Sequence, residues 1–240
     1  MRTTMQIEKQ LQELVARATA ALGGDLESLI LYGSAARNEF DSGHSDLNIL
    51  LLTKKLDFDV LSRSASLLEW WRGQGNPQPL LFTLDELRRS TDAFPIEIFD
   101  IRDRHRILHG SNPLPDLEID NQYHRAQLEH ELRAKLLRLR QKAVPVLKSP
   151  KELLRLMEAS VSTFLVLLRH AMLLRGLTPP AARRELLAAA HAADLVNPVS
   201  FAQLIDLREG KLSPKSVNSV QLFEDYLKQI QTLVASVDAL

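Results

Sequence analysis

The spacing of apolar residues changes character partway along this chain. Up to about residue 110, stripes at helical spacing alternate with short runs of consecutive apolar residues. Ile7, Leu11, Leu14, Val15, Ala18 and Leu22 form the first stripe, which predicts an amphipathic helix. Leu29-Ile30-Leu31-Tyr32, closed by Gly33, predicts a buried strand ending in a tight turn, and Leu47 to Leu52 predicts a second strand. Val60, Leu61, Leu67, Leu68 and Trp71 return to helical spacing until Gly73 and Gly75. Leu80 to Phe82 predicts a third strand. Thr83 and Glu86 have the spacing of a capping box, so a brief helix follows, which Pro95 is expected to end. Ile96-Glu97-Ile98-Phe99-Asp100-Ile101 is β-rich and predicts a further strand.

This alternation predicts one α/β unit, over residues 1–115, closed by a linker at Gly110, Pro113 and Pro115. From Tyr123 only helical stripes remain. Leu128, Leu132, Leu136 and Leu139 form one, and Leu153, Leu156, Val161, Phe164, Leu165 and Leu168 another. With Ala182–Leu195, Phe201–Leu207 and Val217–Leu240, five helical pieces predict an all-α bundle over residues 116–240. Pro150 and Pro179-Pro180 stand where helix starts are expected. Adjacent Trp70 and Trp71 cannot both face a core, so one is expected at its edge.

Composition narrows the function classes. Thirty basic and thirty acidic side chains cancel, so no overall field draws the molecule to bulk nucleic acid or an anionic membrane, and any anion site must be local. The absence of cysteine excludes disulfides and thiolate metal sites and fits a reducing compartment, the cytoplasm. No apolar run is expected to reach the roughly 18 residues of a membrane span.

The segment LILYGSAARNEFDSGHSDLNILLL carries the chemistry. Side chains alternate along a strand, so Asp46, Asn48 and Leu50 project one way while Leu47, Ile49 and Leu51 project into a core. Polar atoms on an apolar strand need a partner: a cation, a water-filled cleft, or, in the simplest reading, a turn capped by Asp46 and a solvated face at Asn48.

Gly33-Ser34, eleven intervening residues, then acid-apolar-polar at Asp46-Leu47-Asn48 resembles the signature of the nucleotidyltransferase superfamily that includes DNA polymerase beta and the aminoglycoside nucleotidyltransferases. The resemblance covers roughly residues 25–110. It implies a nucleotidyltransferase-like mixed sheet, a nucleotide as ligand, and transfer of a nucleoside monophosphate to a polar acceptor, a small molecule or a protein. Gly33 would let the backbone approach the triphosphate, Ser34 would offer a hydroxyl and N–H at a helix start, and Arg37 would reach phosphate. Asp46 matches the first acid, Asn48 stands where the second belongs, and Glu97 is the best match to a third acid on a later strand. Asp100 is its runner-up, and on a regular strand the two face opposite sides. These positions would hold magnesium, which prefers hard oxygen ligands.

Asn48 brings no charge and accepts no proton. Removing one charge about 4 Å from an ion forfeits about 4 kcal/mol at an effective dielectric of about 20. A nucleotide held with one magnesium ion survives that loss better than two-metal catalysis does. The alternative is a non-catalytic nucleotide-binding or partner-binding module, a pseudoenzyme.

The helical half adds two signals. Arg125, Arg133, Lys135, Arg138, Arg140 and Lys142 outnumber Glu129 and Glu131, with Lys135, Arg138 and Lys142 on one face, a potential wall of an anion cleft. The bundle also resembles the kind called HEPN, some of which cut RNA with an Arg, four to six residues, then a His. Arg125 to His130 and Arg184 to His191 satisfy the count. Residues five apart lie about 140° round a helix, so only the second pair shares a face.

Overall fold

The computed structural model describes residues 4–37 and 47–240. The chain divides into two compact units, the first ending at Asp120 and the second running Asn121–Leu240.

In the first unit, α1 (Thr4–Leu22) leads into β1 (Leu26–Tyr32), a 3₁₀ turn (Ser34–Arg37) and β2 (Asn48–Thr53). Then follow α2 (Phe58–Gly73), β3 (Leu80–Thr83), α3 (Leu84–Arg89), α4 (Pro95–Asp103) and β4 (His105–Gly110). The sheet order is β3-β2-β1-β4, with β2 and β3 parallel and the other pairs antiparallel. It is a mixed sheet, as the resemblance to nucleotidyltransferases implies.

The two central strands are apolar on both faces, and the sheet separates two cores. Leu29, Leu31, Leu47, Ile49 and Leu51 pack with Leu14, Ala18 and Leu22 of α1 and Val60, Leu67 and Trp71 of α2. Ile30, Leu50 and Leu52 face the other way, against Leu87 of α3, Ile98 and Ile101 of α4, and Leu114 and Leu117. Trp71 is fully buried, while Trp70 stays at the edge beneath the Arg17 guanidinium, 4.6 Å from its ring centre. Arg106 ties β4 to α1, donating to both carboxylate oxygens of Glu8 at 2.7 and 3.3 Å.

Thr83 and Glu86 form the expected capping box: the Thr83 hydroxyl accepts from the Glu86 N–H, and the Glu86 carboxylate accepts from the Thr83 N–H. The segment beyond it departs from expectation. Pro95 does not end an element but begins one, and Ile96–Ile101 is part of α4 rather than a strand. Proline at the first helical position loses no hydrogen bond and has its φ already set. The residues also satisfy a helical period. Ile98 and Ile101 reach the core, while Glu97 and Asp100 fall three apart on another face. Tertiary packing overrides the β propensity of isoleucine and phenylalanine here. The fourth strand is β4 instead, in a stretch read from sequence as the approach to a linker.

The second unit contains, among the described residues, α5 (Asn121–Ala143), α6 (Pro150–Leu174), α7 (Arg183–Ala192), α8 (Val199–Arg208) and α9 (Ser219–Asp238). Pro150 occupies the first turn of α6, but Pro179 and Pro180 precede α7 rather than start it. Helix α6 packs against the other four and carries the core. By length and composition it is apolar enough to cross a membrane, contrary to the expectation that no segment would be, with a mean hydropathy of 1.3 over 18 residues. Buried Leu153, Met157, Val161, Phe164 and Leu168 mark it as the helix around which the others pack. Tyr226 of α9 sits edge-on to Phe164 and Phe201, and its hydroxyl meets Ser160 Oγ at 3.1 Å. Burial raises the Tyr226 pKa well above its ordinary value. Fully buried His124 and His170 join through Nε2 and Nδ1 at 2.9 Å.

Gly110 closes β4 at φ +78°, where an added Cβ would lie 1.9 Å from the Glu27 carbonyl oxygen. Gly176 has a similar φ of +71° with open space around it. Gly176→Ala should cost about 1–2 kcal/mol from left-handed strain alone. Gly110→Ala should cost more, because a backbone atom must also move; urea unfolding of both variants measures the difference.

Candidate functional site

The end of the sheet nearest the Gly-Ser turn is where polar groups emerge from the apolar strands. Opposed residues on paired antiparallel strands share a face. Tyr32 is opposed by Asn48 of β2 on one side and by His105 of β4 on the other, so these three side chains lie together on the face of Ile30 and Leu50. Leu47 and Ile49 point the other way, as strand alternation requires. The face that Tyr32, Asn48 and His105 share is also a core, since Leu50 is itself fully buried.

Gly33 follows Tyr32 at φ +82°, a conformation that favours glycine. Its N–H donates to the Arg104 carbonyl at 2.8 Å, and its carbonyl accepts from the Ala36 N–H at 3.1 Å, which closes the 3₁₀ turn. A Cβ at Gly33 would sit 3.3 Å from Asn48 Nδ2. The glycine and the asparagine, fifteen residues apart in sequence, are thus neighbours. Asp46 lies outside the described residues, as do the side chains of Ser34 and Arg37.

Glu97 is an exposed residue in the first turn of α4. It is not on a strand, and the helix places Asp100 on the same side rather than the opposite one. Glu97 nevertheless reaches the site electrostatically. The Tyr32 phenol has a pKa raised first by burial and second by the Glu97 carboxylate, so it stays protonated above the ordinary range. The strand beside β2 is β3, and its sequence Leu80-Leu81-Phe82-Thr83 contains no acid.

His105 was not singled out from sequence, because β4 was not. Its Nδ1 lies 2.9 Å from the Arg102 carbonyl and its Nε2 lies 3.0 Å from Asn112 Nδ2. A carbonyl only accepts and an amide nitrogen only donates, so Nδ1 carries the proton and the ring is the neutral tautomer. Asn112 is held in turn by the Leu114 N–H, which donates to Oδ1 at 3.2 Å. The run His105-Arg106-Ile107-Leu108 does not alternate polar and apolar residues, so the segment itself carried no strand signal.

Among the described residues, no three His, Asp or Glu side chains gather closely enough to hold a metal ion. Asn48 contributes a neutral oxygen and Glu97 stands on a helix. Asn48 and Glu97 by themselves do not make up a three-acid magnesium site.

In the helical unit, Arg184 is held by Asp206 and Glu209, each at 2.7 Å, and His191 Nδ1 lies 3.3 Å from the Val196 carbonyl. Arg125 faces Glu129 and the Val237 carbonyl, while His130 is exposed. Arg125, Arg184 and His191 are thus accounted for by packing and ion pairing, and His130 faces solvent.

Neither a family model nor a curated protein matches the sequence. Among solved structures, the chain is similar to spectinomycin adenyltransferase AAD(9) from Enterococcus faecialis, solved with ATP and spectinomycin. The two share 12% sequence identity over 96% of this chain and 99% of the other, with a TM-score of 0.53. At that identity the likeness is one of fold, and the fold is nucleotidyltransferase-like.

Tyrosine absorbance titration should show Tyr32 ionising at higher pH than a free phenol. Glu97→Gln should lower that pKa only in part, since burial is the larger cause. The sign for stability follows from the raised folded pKa. The contribution is full below the unfolded value of about 10 and is lost as pH rises through the folded pKa.

Proposed function

We propose that the amino-terminal unit binds a nucleoside triphosphate through the turn after Gly33 and transfers its nucleoside monophosphate to a small polar acceptor. The observation that carries this reading is the left-handed Gly33 set against Asn48 at the end of paired strands. Its support is the fold shared with an adenyltransferase whose structure was solved with ATP and spectinomycin. Gly33 keeps the turn free of a side chain, so phosphate can meet backbone N–H groups, with Ser34 and Arg37 as further donors.

In the transfer, an acceptor oxygen attacks the α-phosphorus, the bond to the β-phosphate oxygen breaks, and pyrophosphate leaves with the electron pair. The acceptor proton passes to a base. Asp46 and Glu97 are the carboxylates assigned here to polarise the acceptor and take that proton. Magnesium belongs to this reading as the counter-ion of the triphosphate, and the chain's neutral Asn48 suits one ion better than two.

A second reading, binding without turnover, is favoured by two observations: an amide stands at position 48, and β3 carries no acid. The readings separate on one experiment with α-labelled ATP. Under the transferase reading, the wild type passes label to an acceptor or to itself, and Asp46→Ala abolishes this. Under the binding reading only Asn48→Asp transfers label, with a gain of about a thousandfold if the restored charge is worth about 4 kcal/mol. Calorimetry showing no magnesium-dependent ATP binding by either form would end both.

A further inference from the structure

The helical unit has a concave surface built wholly from α5 and α6. Lys135, Arg138 and Lys142 form one wall, Ser160 and Thr163 stand opposite, and half-buried Leu156 and exposed Ala159 supply apolar surface over the buried Leu139 and Phe164, around a cavity of about 240 Å³. Spacings of three and four residues bring the three cations to one side of α5.

Ion pairing on α5 is uneven. Glu129 holds both Arg125 and Arg133, and Arg133 also reaches Asp238 at 2.5 Å. Lys135 is tied to Glu131 at 3.1 Å. Arg138 and Lys142 have no carboxylate partner among the described residues. Two uncompensated cations therefore line one concavity, where low-dielectric walls concentrate their field. On the facing side, the Ser160 hydroxyl is committed to the Met157 carbonyl at 2.9 Å and to Tyr226. Thr163 is exposed and leaves its hydroxyl available to a ligand.

This combination selects a ligand. An Arg fork beside a Lys suits the oxygens of a phosphate dianion, with Thr163 adding a donor. Leu156 and Ala159 would be left wet by a bare anion and are covered by an apolar body. The volume falls just below the roughly 300–1,000 Å³ of sites for drug-sized molecules, which limits that body to about one ring. We propose that the α5–α6 groove binds a small phosphate monoester with an aromatic or apolar body. Every residue lining the groove belongs to the helical unit, so the proposal stands apart from the nucleotide reading.

Phenyl phosphate is the probe, titrated into the full chain by calorimetry at low salt. Saturable binding is expected, weakened about tenfold or more by Arg138→Glu combined with Lys142→Glu, and weakened by added salt. Ala159→Phe, which fills the groove without altering its charge, should abolish binding. Unchanged melting curves would show that both variants fold. Inorganic phosphate should bind about tenfold more weakly than phenyl phosphate, and Asn48→Ala should leave phenyl phosphate binding unchanged. The proposal is overturned if the wild type shows no saturable binding, if the charge-reversed or filled groove binds as before, or if inorganic phosphate binds equally well. Loss of binding in Asn48→Ala would move the site to the amino-terminal unit and overturn it too.

Discussion

Burial of β1 and β2 on both faces is the constraint from which the rest of the first unit follows. Leu29 and Leu31 face one core while Ile30 faces the other, and Ile49 and Leu51 oppose Leu50 and Leu52 in the same way. Such strands need helices on both sides: α1 and α2 cover one face, α3 and α4 the other. A polar side chain in the middle of either strand would lose its water with little to replace it. Polar chemistry is therefore confined to the strand ends, and the end nearest Gly33 gathers Tyr32, Asn48 and His105 in one row across three strands. The Gly33 turn is usable as a site because the strands leading to it are too apolar to be anything but core.

The described groups at that end are mostly neutral. Tyr32 is held protonated, His105 is fixed as a neutral ring by the Arg102 carbonyl and Asn112, and Asn48 presents an amide. Glu97 is the carboxylate whose field reaches Tyr32. Among the described residues, this strand end offers few of the carboxylate oxygens a divalent ion prefers. The amide at position 48 thus agrees with its surroundings: a carboxylate there would raise the Tyr32 pKa further.

Much of this was legible in the sequence where period and chemistry agreed. The apolar runs at Leu29 and Leu47 became adjacent strands, Thr83 and Glu86 became a capping box, and the stripes from Leu128 onward became packed helices. The failures cluster between Pro95 and Gly110. Ile96–Ile101 has the composition of a strand, yet its polar residues recur at three, and Pro95 can begin a helix as readily as stop one. The strand that does exist there, His105–Gly110, has both faces half-buried, so histidine and arginine occupy positions where an alternating pattern would lead one to look for apolar residues. Reading that stretch correctly required knowing that β1 needed a partner on its free edge, which is a property of the sheet and not of the segment. Glu97 was singled out for its apolar flanks, and those flanks are the buried face of a helix.

The helical unit closes its own core around α6, with Phe164, Phe201 and Tyr226 in edge-to-face contact and His124 paired to His170. Its electrostatics are correspondingly local. A chain of zero net formal charge still holds a helix on which Glu129 neutralises Arg125 and Arg133 at one end while Arg138 and Lys142 go unmatched towards the other. Positive charge near a helix carboxyl end is favoured by the exposed carbonyls there, which explains why α5 tolerates it without acids. That tolerance does not explain the concavity beside it. Larger side chains than Ala159 or Thr163 would fill the space beside Leu156, and the small residues at those two positions keep the groove open next to its unpaired cations.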